Sequence, residues 1–183
     1  TGTKGKTTAA FMLQSIIKAA GESCGMIGSV STDDGIECYE STNTTPEAPE
    51  VWRHIANCRE SGRQSMVMEV SSQVLKYQRV ENLPFDVACF LNIGRDHISP
   101  IEHPTFEDYF KSKLRIFDQA KTAVVNLGTD EAERVLEAAS TAERLVTVGV
   151  EHPEASLWAS DVRMVGFNIE FNLHGLCADE SEA

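Results

Sequence analysis

Gly2-Thr3-Lys4-Gly5-Lys6-Thr7-Thr8 reads G-x-x-G-K-T-T and runs directly into a stretch of helical periodicity. The glycines allow consecutive backbone N–H groups to turn inward around anionic oxygens, and a helix N-terminus adds a favourable partial charge there. At this spacing Lys6 reaches the β- and γ-phosphates of a nucleotide, and the Thr7 hydroxyl is placed to ligate Mg²⁺. The bland alternative is a solvated, lysine-bearing helix cap. It leaves unexplained why glycine, lysine and two threonines all fall where phosphate binding needs them. A phosphate loop needs a strand feeding it, yet Thr1 already lies inside the loop. The expectation is therefore a single domain, 1–183, cut from a longer chain at both ends.

Outward from the loop, helical and extended periods alternate. Phe11, Leu13, Ile16 and Ile17 mark a helix that Gly21 stops, and Pro46 opens a second through Val51, Trp52, Ile55 and Ala56, ended by Gly62. Strands are expected at Cys24–Val30, Ile36–Tyr39, Met66–Val70, Val87–Leu91, Ala123–Asn126 and Leu145–Val148. Met66–Val70 and Val87–Leu91 are near-continuous apolar runs, as parallel strands covered on both faces require. Helices are expected at Phe106–Phe117 and Glu131–Ala139, then two strands, Leu157–Val165 and Asn168–Leu173, around Gly166. The pattern predicts an α/β fold: a P-loop on a mostly parallel, doubly wound sheet with a small antiparallel C-terminal appendage.

The 183 residues carry 16 Lys+Arg against 28 Asp+Glu, a formal net charge of −12. Such a field repels phosphate backbones, so neither nucleic acid nor an anionic membrane is an expected partner. No apolar run approaches the ~18 residues of a membrane helix. Cys24, Cys38, Cys58, Cys89 and Cys177 are odd in number and never paired as CxxC, which favours reduced thiols and a cytoplasmic location. The histidines show no zinc spacing, and the aromatic residues, scattered at core spacing, read as packing.

Open α/β sheets hold ligands at the carboxyl ends of their strands. Met66-Val67-Met68 ends in Glu69-Val70-Ser71-Ser72, so Glu69 is a candidate ligand for a hard cation. Val87–Leu91 ends in Asn92, followed by Arg95, Asp96 and His97. Each could equally be a capping or surface residue. Lys113 is more telling, because Phe106, Tyr109, Phe110, Leu114 and Phe117 form a stripe at i, i+3, i+4, i+8 and i+11, and i+7 is Lys113. A lysine on an inward face must snorkel, pair or be chemically altered.

Taken together, the loop, Thr44-Thr45-Pro46-Glu47, Met68–Ser72, Arg95-Asp96-His97 and the helix carrying Lys113 resemble the Mur ligases, in particular the UDP-N-acetylmuramoyl-tripeptide synthetase type. The resemblance runs from Thr1 to about Phe117 and weakly on through Ala159–Arg163. It implies an ATP-dependent amide-bond ligase of peptidoglycan precursor synthesis, working through an acyl phosphate. Gly2, Thr3, Lys4, Gly5, Lys6, Thr7 and Thr8 would then bind ATP, and Thr7, Glu69, His97 and Lys113 would serve the Mg²⁺ site. Lys113 would do so as a carbamate, with Lys6, His97 and Lys113 as the catalytic set. Asn43, Thr44, Thr45, Ser71 and Arg79 match positions that contact the UDP-MurNAc-peptide. The resemblance further implies an amino-acid substrate, an N-terminal UDP-binding domain and a C-terminal domain, neither within this chain. Lys4, Gln73 and Tyr77 depart from the family's usual Asn, His and Gln, and Ile98–His103 differs from its familiar loop. Other readings are a folylpolyglutamate or cyanophycin synthetase-like ligase, a muramoyl-ligase-like amidotransferase partner, and a P-loop kinase or nucleotide-binding module.

Overall fold

Gly5 takes a left-handed backbone, φ 80°, and the chain turns through it into α1, Lys6–Ala19. The computed structural model describes residues 1–96 and 98–175. Helix α1 closes on Gly21, whose N–H donates to the Lys18 carbonyl at 3.0 Å while the Glu22 N–H donates to Ile17 at 3.2 Å. That bond pair is how a left-handed glycine ends a helix. Helix α2, Ala48–Glu60, stops at Gly62 in the same way. It starts two residues later than the expected Pro46, with Pro49 in its first turn, where the missing N–H is harmless.

The residues divide into two compact units, the first being Thr1–Leu83 with Arg95–Arg115. Its sheet holds β1 (Cys24–Ile27), β2 (Ser31–Asp33), β3 (Cys38–Glu40) and β4 (Ser65–Met68), in the order β3-β2-β1-β4. Strand β1 runs parallel to β4, with Ile27 opposite Met68, and antiparallel to β2. The register brings the carboxyl ends of β1 and β4 side by side. Ala10 of α1, with Ile17 beside it, packs on Cys24, Met26 and Val67. Burying a side chain of the size of Met26 or Val67 contributes about 1.5–3 kcal/mol, and the smaller Ala10 less. Phe11, Leu13 and Ile16, which the periodicity marked as the apolar positions, are instead exposed. Small Ala10 makes the contact because helix and strands approach closely there, and Gln14 is buried by donating to the Cys24 carbonyl at 3.4 Å.

Two helices complete this unit. Helix α3, Ser72–Lys76, has no counterpart in the sequence pattern, because it is a single short turn capped by Ser71, too brief to show a period. Helix α4, Phe106–Leu114, is capped by Thr105, which accepts from the Asp108 N–H at 3.1 Å. The helix expected through Phe117 tightens at Arg115 into a 3₁₀ turn, Arg115–Gln119.

The second unit comprises Pro84–Gly94 and the described residues from Ile116 onward. Strands β5 (Phe85–Phe90), β6 (Ala120–Asn126), β7 (Arg144–Val150), β8 (Leu157–Val165) and β9 (Asn168–Gly175) lie in sequence order. All neighbours are parallel except β8 and β9, the antiparallel pair that the sequence predicts. Helix α5, Ala132–Ala139, joins β6 to β7 and buries Val135 and Ala139. The fold is α/β, with the strands divided between two sheets of which the second is mostly parallel.

Some expectations are corrected. Strand β5 is not covered on both faces, since Val87 is 59% exposed. Trp52, Tyr77 and Phe167 are exposed rather than packed in a core. Cys24, Cys38, Cys58 and Cys89 are free thiols, and Cys177 lies outside the described residues. No helix among the described residues is long and apolar enough to cross a membrane.

Candidate active site

Because Gly5 caps α1 without a side chain, no hydroxyl or carboxylate of its own closes the helix end. The first helical bond runs from the Ala9 N–H to the Gly5 carbonyl at 2.9 Å. The N–H groups of Lys6, Thr7 and Thr8 therefore precede the helical ladder and are directed toward the loop, as an anion site requires. Nothing lies within 4 Å of a Cβ built on Gly5, so its φ, and not lack of space, demands glycine.

Lys6 folds back over the loop. Its Nζ donates to the Gly2 carbonyl at 3.0 Å and to the Thr3 carbonyl at 3.5 Å. Burial lowers its pKa, opposed by the charges of Glu69 and Asp96. Lys113 meets the same carbonyl: its Nζ donates to Gly2 at 2.8 Å and lies 5.0 Å from the Tyr109 ring centre. At 1% exposure it does not snorkel. Burial, and then repulsion from Lys6, pushes its pKa down to about 7, so a large share of the amine is neutral near pH 7. Tyr109, one turn earlier on α4, shares a 3.0 Å hydrogen bond with the Thr3 hydroxyl. Helix α4 thus grips the loop through both residues. Periodicity marked Tyr109 as packing, and its hydroxyl was the signal missed.

The strand ends supply the second cluster. Glu69 follows β4 and is 3% exposed. Its Oε1 accepts from the Ser29 N–H at 2.8 Å, and its Oε2 accepts from the Thr7 hydroxyl at 2.9 Å. The Ser29 hydroxyl lies 3.3 Å from Oε2 and 3.1 Å from Thr44 Oγ1. Thr45 is buried and donates to the Glu69 carbonyl at 2.6 Å. Gly28 makes this convergence possible, since a Cβ there would stand 2.6 Å from Glu69 Oε1. Ser29 escaped the sequence reading, because a serine after a short strand has no pattern of its own.

Asn43 is exposed on the loop that carries Thr44 and Thr45. Arg79 pairs with Glu47 at 2.7 Å, so it is tied to the residue two after that loop. Ser71 caps α3 by accepting from the Val74 N–H at 3.4 Å. Lys4 is exposed, and His97 lies outside the described residues. The Thr7 hydroxyl and Glu69 carboxylate, 2.9 Å apart, are two hard oxygen donors on one small volume, the donor set Mg²⁺ prefers.

Two further networks stiffen the unit. His103 is buried between Ser72 Oγ at 2.9 Å and Asp108 Oδ2 at 2.7 Å, and Lys76 Nζ reaches the same Asp108 oxygen at 2.7 Å. The bonds from Lys76, and then His103, hold the Asp108 pKa below its usual value against burial. They pin α3 and the segment before α4 together. Asp34, Glu37 and His54 could geometrically share a metal ion. Their donors are already spent, with Asp34 on His54 at 2.6 Å and on Asn57 at 2.9 Å, and Glu37 on Arg53. This cluster is a staple.

Residues 1–182 match the family model described as the Mur ligase middle domain. The chain is 45% identical over 141 residues to a UDP-N-acetylmuramoyl-L-alanyl-D-glutamate--L-lysine ligase of Streptococcus suis, a match covering 77% of this chain and 29% of that protein. It therefore spans less than a third of that relative's length. Among solved structures it is similar to a UDP-N-acetylmuramoyl-L-alanyl-D-glutamate--2,6-diaminopimelate ligase at TM-score 0.84 and 24% identity, covering 96% of this chain and 36% of that one. It is also similar to a MurF ligase of Thermotoga maritima in complex with ADP, at TM-score 0.66 and 18% identity, over 95% and 36% of the two chains. At those identities the structural likeness speaks for the fold alone.

Proposed function

The chain belongs to the Mur ligase middle-domain family, and on that premise we propose that it is the ATP-binding part of a ligase adding an amino acid to a UDP-MurNAc-peptide. The observation that carries the reading is the pairing of Thr7 with Glu69 at 2.9 Å, beside a loop closed by Lys6. Thr7 and Glu69 would hold Mg²⁺, and the family resemblance adds His97 and Lys113. Bound there, the cation would neutralise phosphate charge and orient the terminal phosphoryl group.

The protein's own groups supply the rest. A substrate carboxylate attacks the γ-phosphorus of ATP, ADP leaves, and an acyl phosphate forms. The incoming amine adds to the acyl carbon, loses a proton, and expels inorganic phosphate as the amide forms. Two anions must meet in the first step, so Lys6 and the amides of Lys6, Thr7 and Thr8 serve to spread charge on the transferring group. Asn43, Thr44, Thr45, Ser71 and Arg79 would orient the acceptor. Lys113 supports the reading through its burial and its amine near neutrality. A carbamate formed by that amine with carbon dioxide would turn a cation into an anionic oxygen donor.

The test is Lys6→Ala in the full-length protein, following phosphate release with UDP-N-acetylmuramoyl-L-alanyl-D-glutamate, ATP and a panel of amino acids. Turnover falls by about a hundredfold or more, the scale of losing one electrostatic donor from a phosphoryl-transfer site. Near-normal turnover would refute the role.

A further inference from the structure

Ser29 stands between the cation side and the acceptor side of this site, and its chemistry permits one state at a time. Its Oγ lies within hydrogen-bond reach of Glu69 Oε2 at 3.3 Å and of Thr44 Oγ1 at 3.1 Å. Ser29 is the donor in both contacts and a hydroxyl has one hydrogen, so it serves one of the two acceptors at a time. With no cation on Glu69, the carboxylate is the stronger acceptor, because a bond to an ionised group is roughly twice as strong as a neutral one. The single Ser29 hydrogen then lies on Glu69, and Thr44 Oγ1 is left without it.

We propose that Ser29 is a positioning residue that couples cation occupancy at Thr7 and Glu69 to the hydrogen-bonding state of Thr44, and so to acceptor binding. A divalent cation on Glu69 Oε2 competes with the hydroxyl donors of that oxygen. The Ser29 hydrogen turns to Thr44, and accepting it polarises the Thr44 hydroxyl as a donor toward the substrate. Thr45 supplies a fixed pivot, buried and bonded to the Glu69 carbonyl at 2.6 Å, so Thr44 changes partner without its loop detaching. The Ser29 N–H, at 2.8 Å from Glu69 Oε1, holds the carboxylate in either state. Ser29 is itself exposed, so removing its hydroxyl leaves the core untouched.

The inference rests on the proposed contact of Thr44 with the acceptor, and the experiment separates the two. In the full-length protein, calorimetry measures the affinity for UDP-N-acetylmuramoyl-L-alanyl-D-glutamate with a non-hydrolysable ATP analogue, with and without Mg²⁺. The wild type changes affinity by about fivefold or more on adding Mg²⁺, the lower range of ordinary coupling between sites. Ser29→Ala reduces that change to less than about twofold, and Ser29→Thr restores it. Since coupling is reciprocal, the acceptor shifts Mg²⁺ affinity by the same factor in the wild type and not in Ser29→Ala. Full coupling in Ser29→Ala overturns the relay, as does a wild type that binds both ligands without coupling. A wild type that binds no acceptor overturns the acceptor reading and the relay with it.

Discussion

Lys113 is a lysine held almost wholly out of solvent. Its amine is buried against the Gly2 carbonyl with a pKa near 7, well below the 10.5 of an exposed lysine. A depressed lysine pKa means the folded state binds fewer protons than the unfolded state between those values. Stability from this group is thus complete above about pH 10.5 and falls away as pH drops through about 7. Lys113→Met should raise the unfolding free energy of the full-length protein by about 2–4 kcal/mol at pH 6–7 in carbon dioxide-free buffer. The gain should shrink steadily toward pH 10, as denaturant titrations at several pH values would record. The same substitution removes ligase activity if the proposed role holds. A gain independent of pH would mean that the native amine keeps the pKa of an exposed lysine, with no depression by burial.

At the scale of elements, α2 is fastened to the β2–β3 hairpin by Asp34. Its carboxylate accepts from the Glu37 N–H at 2.7 Å, the Ile36 N–H at 2.9 Å, His54 and Asn57. Burial pushes its pKa up, but those hydrogen bonds outweigh burial and hold it well below the usual carboxylate range. The stability it supplies is present above the unfolded value near 4 and is lost as pH falls below it. Asp34→Asn should cost about 2–3 kcal/mol at pH 7 and flatten the loss of stability between pH 4 and 2. Thermal melts across that range would check it, and an unchanged acid profile would count against the staple. The hairpin leads directly into the loop with Asn43, Thr44 and Thr45, so acceptor affinity should weaken alongside stability. None of this was visible in sequence, because Asp34 and His54 belong to different elements 20 positions apart.

For the whole molecule, the decisive fact is partial length: the chain corresponds to 29% of a relative with which it shares 45% identity. On the proposed reading the first unit holds the phosphate, cation and acceptor contacts, and the family resemblance puts selection of the incoming amino acid on a further domain. We expect the isolated chain to bind nucleotide weakly and to make no amide, with both restored when the flanking domains are present. Phosphate-release assays and calorimetry on the two forms would decide, and amide formation by the isolated chain would overturn the domain assignment.

The sequence by itself determined the parts of this protein whose physics is local. Gly5-Lys6-Thr7 announces the phosphate loop because φ, a cation and a hydroxyl must come at fixed offsets. Gly21 and Gly62 announce helix ends for the same kind of reason. Lys113 stood out because one helical period exposes a charge on an apolar stripe. Only the tertiary structure decided that Glu69, Thr7, Ser29 and Thr44 share hydrogen bonds, that Tyr109 reaches Thr3, and that Phe11, Leu13 and Ile16 face outward. Those facts depend on the register of β1 against β4 and on how closely α1 and α4 approach their neighbours. Distances between elements are set by packing of side chains far apart in the chain, and no local period encodes them.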